Sequence, residues 1–352
     1  MLVLSLLALP CAALDLTGEL GADAVTEALP SDAAEALDGL DLGTLDARNG
    51  LERVVSFFAN HFRDELSAAL RPAASVLAIA LLCGVLGSMP DKSDLDYAQL
   101  GGCVAVSALS LADVRSAVSL ASETLDTLSE YSRVLLPTLT TAALSAGALT
   151  SAGAKYAASA LFSDVLLTAA RELVLPAVCA VAATAAAGAA LGTKQLQGAE
   201  KLLTWLGKSL LKYLTLTFTL WLSLTGVLSG SADAAAVKAA RAAISTALPV
   251  VGRALSDASA SLVAGVGMVR NAIGVFGMLA VLTSVALPLL RLGLRCFLFR
   301  AAAALGGMLA GERMTRLLNS IGAVYAMLMG LVGTGAALLL LSVISLLRTV
   351  TA

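Results

Sequence analysis

Apolar residues fall into runs close to the roughly 20 positions a helix needs to cross a bilayer. Charge-poor runs of this kind occupy residues 134–152, 173–192, 210–230, 272–290 and 321–347. Residues 73–89, between Pro72 and Pro90, form a shorter run without charge. Two further runs are interrupted, 100–120 by Asp113 and Arg115 and 292–309 by Arg295 and Arg300. The pattern predicts an all-α polytopic membrane protein of six to eight transmembrane helices. Six spans are firm, and 100–120 and 292–309 are broken, interfacial or re-entrant helices.

Other periodicities lie between the runs. Leu51, Val54, Val55, Phe58, Phe62, Leu66 and Leu70 recur every three or four residues, with Glu52, Arg53, Arg63, Asp64 and Glu65 elsewhere. That describes an amphipathic helix on a membrane or partner surface, or a solvated lead-in helix. Residues 231–271 are too apolar for an ordinary loop and too charged for a span. Val237, Ala240, Ile244, Ala247 and Val251 share one helical stripe, Lys238 and Arg241 another, and the segment from Pro249 to Gly252 breaks the helix. A broken or re-entrant hairpin is expected there, which membrane depth tolerates only where protein or water satisfies its backbone. Its charges, Lys238, Arg241, Arg253, Asp257 and Arg270, mark a candidate pathway. An interfacial helix pair with its bases at the headgroups is the other reading.

Composition supports lipid as the main solvent: the 352 residues are 58% hydrophobic and 14% charged, whereas soluble domains carry about 25% charge. The net charge of −2 conceals a division. Residues 14–50 hold nine acids and one base, and residues 51–352 hold 22 bases and 16 acids. The positive-inside rule assigns the basic segments 193–209 and 291–320 to the cytoplasm, which puts 231–271 and the acidic head outside. Residues 1–13, apolar and ending in small residues, read as a signal peptide or an uncleaved anchor, although no Lys or Arg precedes Arg48. The expected division is a signal at 1–13, an extracytoplasmic helical head at 14–71 and a transmembrane domain at 72–352.

Chemistry is sparse. His61, the one histidine, falls on the polar side of the amphipathic stretch, leaving none for catalysis within the membrane. The five cysteines form no metal or redox motif and read as small buried hydrophobes. Gly207, Lys208 and Ser209 match the tail of a phosphate-binding loop, but Leu202 stands where its first glycine belongs. No enzyme activity, cofactor, metal or nucleic acid is expected. Glycine pairs one helical turn apart, Gly188 with Gly192, Gly226 with Gly230 and Gly307 with Gly311, offer smooth faces for helix packing within the protein or in a homo-oligomer.

One block resembles a known family. Asp233 to Arg241, then Leu248-Pro249-Val250-Val251-Gly252, Ser256-Asp257, and the run through Arg270, Asn271, Gly274 and Gly277 are similar to the conserved block of the stage III sporulation protein AE family. Leu203 to Lys208, Lys212 and Phe218 are similar as well. Arg241 and Arg270 stand where the family often has lysine, which keeps the charge and alters its geometry. The resemblance implies a non-enzymatic subunit of the channel or secretion-like complex between mother cell and forespore. It implies a place in the mother-cell-derived outer forespore membrane, with lipid and the other stage III subunits as partners. A stand-alone permease for a small solute and a scaffold that recruits soluble partners are the alternatives.

Overall fold

The computed structural model describes residues 22–37, 47–87, 92–145, 153, 156–161, 165, 168–191, 196–221, 252–306 and 311–347. Among them helix is nearly the only structure and no strand occurs. Two short helices, α1 (Ala22–Glu27) and α2 (Ser31–Leu37), precede α3 (Ala47–Gly87) and α4 (Lys92–Ser145). A π-helical turn, Ala170–Val174, opens α5 (Leu175–Leu191), and α6 covers 196–221. The chain ends in α7 (Gly252–Gly306) and α8 (Gly311–Leu347). Five of these helices contain stretches long and apolar enough to cross a membrane, at Gly50–Val85, Leu100–Ser145, Glu172–Leu191, Asn271–Gly306 and Gly311–Leu347.

Close approaches fix the direction of each helix. Gly50 of α3 lies against Leu279 of α7, and Glu65 pairs with Arg291, so α3 and α7 run the same way. Gly102 of α4 touches Cys83 of α3, Leu135 touches Gly277 of α7, and Leu125 touches Gly335 of α8. Hence α4 is antiparallel to α3 and α7 and parallel to α8. Helix α6 follows α8 upward through Glu200 with Ser320, Gly207 with Met327 and Phe218 with Leu338. The end of α5, at Gly188 and Ala189, meets the start of α8. The six long helices among the described residues therefore alternate in direction, with the ends of α5 and α7 and the starts of α6 and α8 at one end. The described parts of both segments that the basic-loop rule assigns to the cytoplasm lie toward that end, the inner end in the expected orientation.

The two interrupted runs are not broken or re-entrant. Residues 100–120 and 134–145 belong to the single helix α4, and 272–290 and 292–306 to the single helix α7. Charge interrupts hydropathy there because Asp113 of α4 and Arg295 of α7 pair with each other across the bundle. Pro72 is likewise no boundary, since it lies inside α3. The π turn has a local cause. Pro176 cannot donate to the carbonyl one turn back and its ring would crowd it, and the wider turn, closed by Leu175 N–H to the Ala170 carbonyl, makes room.

The described part of the head is not a detached segment. Val25, Ala33 and Leu37 are buried in the main core, and Ala36 packs with Phe57, Leu287 and Leu290. The amphipathic half of α3 thus has α7 and α2 as partners for Val54 and Phe57. Its Leu51, Val55 and Phe62 stay exposed among charged neighbours.

Exposed large apolar side chains mark a belt toward the inner end. Leu82 and Val85 flank Cys83, Val104 follows its partner Gly102, and Leu109 and Leu111 sit just below Asp113. Leu173 and Leu191 cap the two ends of the α5 region, and α7 contributes Phe297 and Leu305. Measured along α8 this belt runs from about Arg313 to Leu331, or about 27 Å at the helical rise, close to the roughly 30 Å of a hydrocarbon core. Glu123, Glu130 and Arg133 are exposed beyond its outer edge and Glu312 and Arg313 at its inner edge, whereas Arg71 and Arg115 are exposed within its outer half, where long side chains reach toward the headgroups. Beyond the outer edge, Leu135, Leu139, Phe276 and Val281 are apolar because they form the core between helices.

Gly311 begins α8 with φ 80°. Its glycine serves this backbone geometry, whereas the sequence pattern casts it as a helix-packing residue. Gly311→Ala is expected to lower stability by about 1 kcal/mol. Gly333→Ala, where a Cβ meets nothing within 4 Å, should be neutral in the same thermal unfolding measurement.

Candidate functional site

The most unusual side-chain grouping lies at mid-height of the apolar belt. Asp113 of α4 forms an ion pair with Arg295 of α7, Nη1 to Oδ1 at 3.3 Å, and accepts a hydrogen bond from the Tyr325 hydroxyl of α8. The Asp113 and Arg295 side chains keep 14% and 21% of their exposure, so three helices meet on charges largely removed from water. Tyr325 stacks near Phe299, ring centroids 5.4 Å apart, which closes the apolar side of the group. Charges at this depth persist where they are paired or meet water. Nearer the outer edge, Arg291 donates from Nε to Glu65 at 2.7 Å and joins α3 to α7. Asp32 of α2 lies close enough to act on Arg291 electrostatically.

A second grouping faces outward. Helix α6 buries Gly207, Leu211 and Phe218 against α8 and exposes Leu202, Trp205, Tyr213, Leu216 and Leu220 on its far side. Beside that apolar stripe Lys201, Lys208 and Lys212, spaced seven and four residues apart, share another. All three are exposed and have no ion-pair or hydrogen-bond partner among the described residues. The contacts of Glu200 with Ser320 and of Gly207 with Met327 place Lys201 and Lys208 at belt height and Lys212 at its outer edge.

The residues singled out from sequence have mixed fates. Asp233, Lys238, Arg241 and Pro249 lie outside the described residues, as do Gly192, Gly226, Gly230, Gly307 and segment 1–13. Gly252 starts α7, and Asp257 and Arg270 lie within it. The second arm of the expected hairpin is therefore not set off from the next span, because residues 252–306 form one helix. Asn271 is exposed. Gly274 and Gly277 are packing positions: a Cβ at Gly274 would stand 2.5 Å from Leu347, and one at Gly277 2.6 Å from Leu135. Gly188 makes only ordinary contact, with Leu196 at 3.6 Å. His61 donates from Nδ1 to the Phe57 carbonyl at 2.9 Å within α3. Gly207, Lys208 and Ser209 are helical and form no loop. Cys83, Cys103 and Cys296 are buried, whereas Cys179 is exposed on α5. Among the described residues no cluster of His, Cys, Asp and Glu could hold a metal ion.

The sequence pattern contained signals for both groupings. Asp113 and Arg295 appear in it as interruptions of apolar runs, and their opposite signs in different runs were the clue to a pair. Lys208 and Lys212 appear only as family-like positions, and their common stripe with Lys201 was readable from the spacing.

This architecture of six alternating helices among the described residues, five of them long and apolar enough to cross a membrane, with paired charge inside and lysines on one outer face, can be set beside known proteins. The family model for stage III sporulation protein AE matches residues 41–349, almost the whole helical bundle. The chain belongs to the stage III sporulation protein AE family. The match takes in Asp113, Arg295, Tyr325 and the three α6 lysines, and begins after α1 and α2. No curated protein and no solved structure matches the chain significantly.

Proposed function

We propose that this sporulation membrane protein is a non-catalytic subunit of the channel or secretion-like complex between mother cell and forespore, in the outer forespore membrane, and that α6 borders its aqueous path. Membership in the stage III family supports the setting. The observation that carries the reading is the exposed Lys201, Lys208 and Lys212 stripe beside an apolar belt. A charged side chain facing lipid at that depth costs about 2.5–3.5 kcal/mol on insertion scales. A water-filled path or a polar neighbour removes that cost. The adjoining stripe of Leu202, Trp205, Leu216 and Leu220 is the face for a neighbouring subunit or lipid.

Genetics tests this reading. Changing all three lysines to Gln should leave the protein folded, membrane-inserted and at normal abundance, while engulfed forespores arrest and late forespore gene expression falls at least tenfold. Normal spore yield from that strain contradicts an aqueous role for α6 and favours a scaffold. A stand-alone permease is the second reading, motivated by the Asp113–Arg295–Tyr325 group. It predicts solute flux through the purified protein in liposomes, abolished by Asp113→Asn, whereas the subunit reading predicts no flux from the isolated protein.

A further inference from the structure

At the inner end of the bundle α5, α6 and α8 enclose an open-sided crevice of about 280 Å³. One wall is smooth, made by Ala185, Gly188 and Ala189 of α5. The other carries charge of both signs: Glu200 from α6, and Glu312, Arg313 and Arg316 from α8. Ser320, itself 7% exposed, closes the bottom and donates its hydroxyl to Glu200. Arg316 pairs with Glu312 at 3.0 Å in an exposed bridge, of a kind that contributes little by itself. Arg313 is exposed, makes no ion pair or hydrogen bond among the described residues and lies close enough to Cys103 of α4 to act on it electrostatically. The crevice lies at the lower edge of the apolar belt, near Leu191, which is 69% exposed.

We infer that this crevice binds the headgroup of a zwitterionic phospholipid, with the phosphate on Arg313 and Arg316 and the ammonium on Glu200 and Glu312. The lining matches such a headgroup in charge, and it lies at headgroup height. Two guanidinium groups suit a phosphate, and two carboxylates beside them would repel a purely anionic headgroup while meeting an ammonium. The lining is balanced in charge, unlike the basic pockets that take anionic lipids on the cytoplasmic side. The alanine and glycine wall leaves room for the glycerol, and the exposed side chains beyond it give the acyl chains an apolar surface. The inference does not depend on the channel reading, only on the protein's residence in a membrane.

Native mass spectrometry of the delipidated full chain would test it, with phosphatidylethanolamine, phosphatidylglycerol or soluble phosphoethanolamine added back. The wild type should retain one phosphatidylethanolamine in clear preference to phosphatidylglycerol. The Arg313→Gln/Arg316→Gln variant should lose retention by about tenfold or more, the scale set by charge-assisted bonds to phosphate. The Glu200→Gln/Glu312→Gln variant should instead switch its preference toward phosphatidylglycerol. Unchanged thermal unfolding of both variants is the control for folding, and Arg313→Gln alone, at an exposed position, serves if a double variant unfolds. Equal retention by the wild type and the arginine variant overturns the site. Phosphoethanolamine that binds as well as the lipid shows a soluble-ligand site and overturns the lipid assignment.

Discussion

Arg295→Leu is expected to destabilise the folded protein by about 3–5 kcal/mol, the cost of leaving one member of a buried ion pair without its partner. Asp113 would then stand at mid-bilayer with only the Tyr325 hydroxyl to stabilise its charge. Asp113→Leu should cost a similar amount, since it strands the guanidinium. The double variant Asp113→Leu/Arg295→Leu should recover much of the loss, with a residual penalty of about 1–3 kcal/mol while the Tyr325 hydroxyl is unpaired. Adding Tyr325→Phe should reduce that penalty. Arg291 provides the contrast. Its side chain keeps 42% of its exposure in the bridge to Glu65, so Arg291→Leu should cost about 1 kcal/mol or less. Alkylation of the buried Cys83, Cys103 and Cys296 with rising temperature reports unfolding directly. A single variant as stable as the wild type, or a double variant worse than the sum of the singles, would contradict the pairing.

Gly277→Leu is expected to disrupt the contact of α4 with α7 by about 1–3 kcal/mol or more. A Cβ alone at Gly277 would stand 2.6 and 2.8 Å from the two methyls of Leu135, so a full leucine must displace a side chain that is completely buried. Gly274 is the same case one turn away, against Leu347. The contact lies in the close-packed core between helices, where added volume must displace a neighbour, so the bundle has few other means of absorbing the misfit. Leu135→Ala should partly rescue Gly277→Leu by opening the needed volume. Gly101→Leu is the control, because nothing lies within 4 Å of a Cβ there. Failure of Leu135→Ala to rescue would place the damage elsewhere than in this contact.

Hydropathy made much of the architecture readable and misled at definite points. The apolar runs, their all-helical character and the shared end of the two basic segments follow from composition and periodicity. Hydropathy cannot distinguish an apolar residue facing lipid from one facing another helix: residues 134–145 and 272–287 lie within stretches long and apolar enough to cross a membrane, and most of their side chains are core. It also reads any internal charge as a break. Asp113 and Arg295, 182 positions apart in sequence, continue their helices because each neutralises the other. Proline misleads in the same way, since Pro72 interrupts one hydrogen bond of a 41-residue helix whose remaining turns hold it.

The candidate site was less legible. Gly274 and Gly277 stand out in the sequence beside Arg270 and Asn271, and their close contacts with Leu347 and Leu135 explain why no side chain fits there. The interhelical pairing of Asp113 has no local signature, because it depends on the antiparallel register of α4 and α7. The α6 lysines do have one, a spacing of seven and four, which becomes meaningful only once the belt shows which heights face lipid.

In the proposed complex α6 presents its lysines to water at the height where Phe297 of α7 faces lipid. In a cysteine-free background, Lys208→Cys and Phe297→Cys can each be exposed to a charged, membrane-impermeant thiol reagent in membranes from sporulating cells that hold the assembled complex. Rapid modification at position 208 and protection at position 297 are expected. Equal protection of both positions, or faster modification at 297, would contradict an aqueous face on α6.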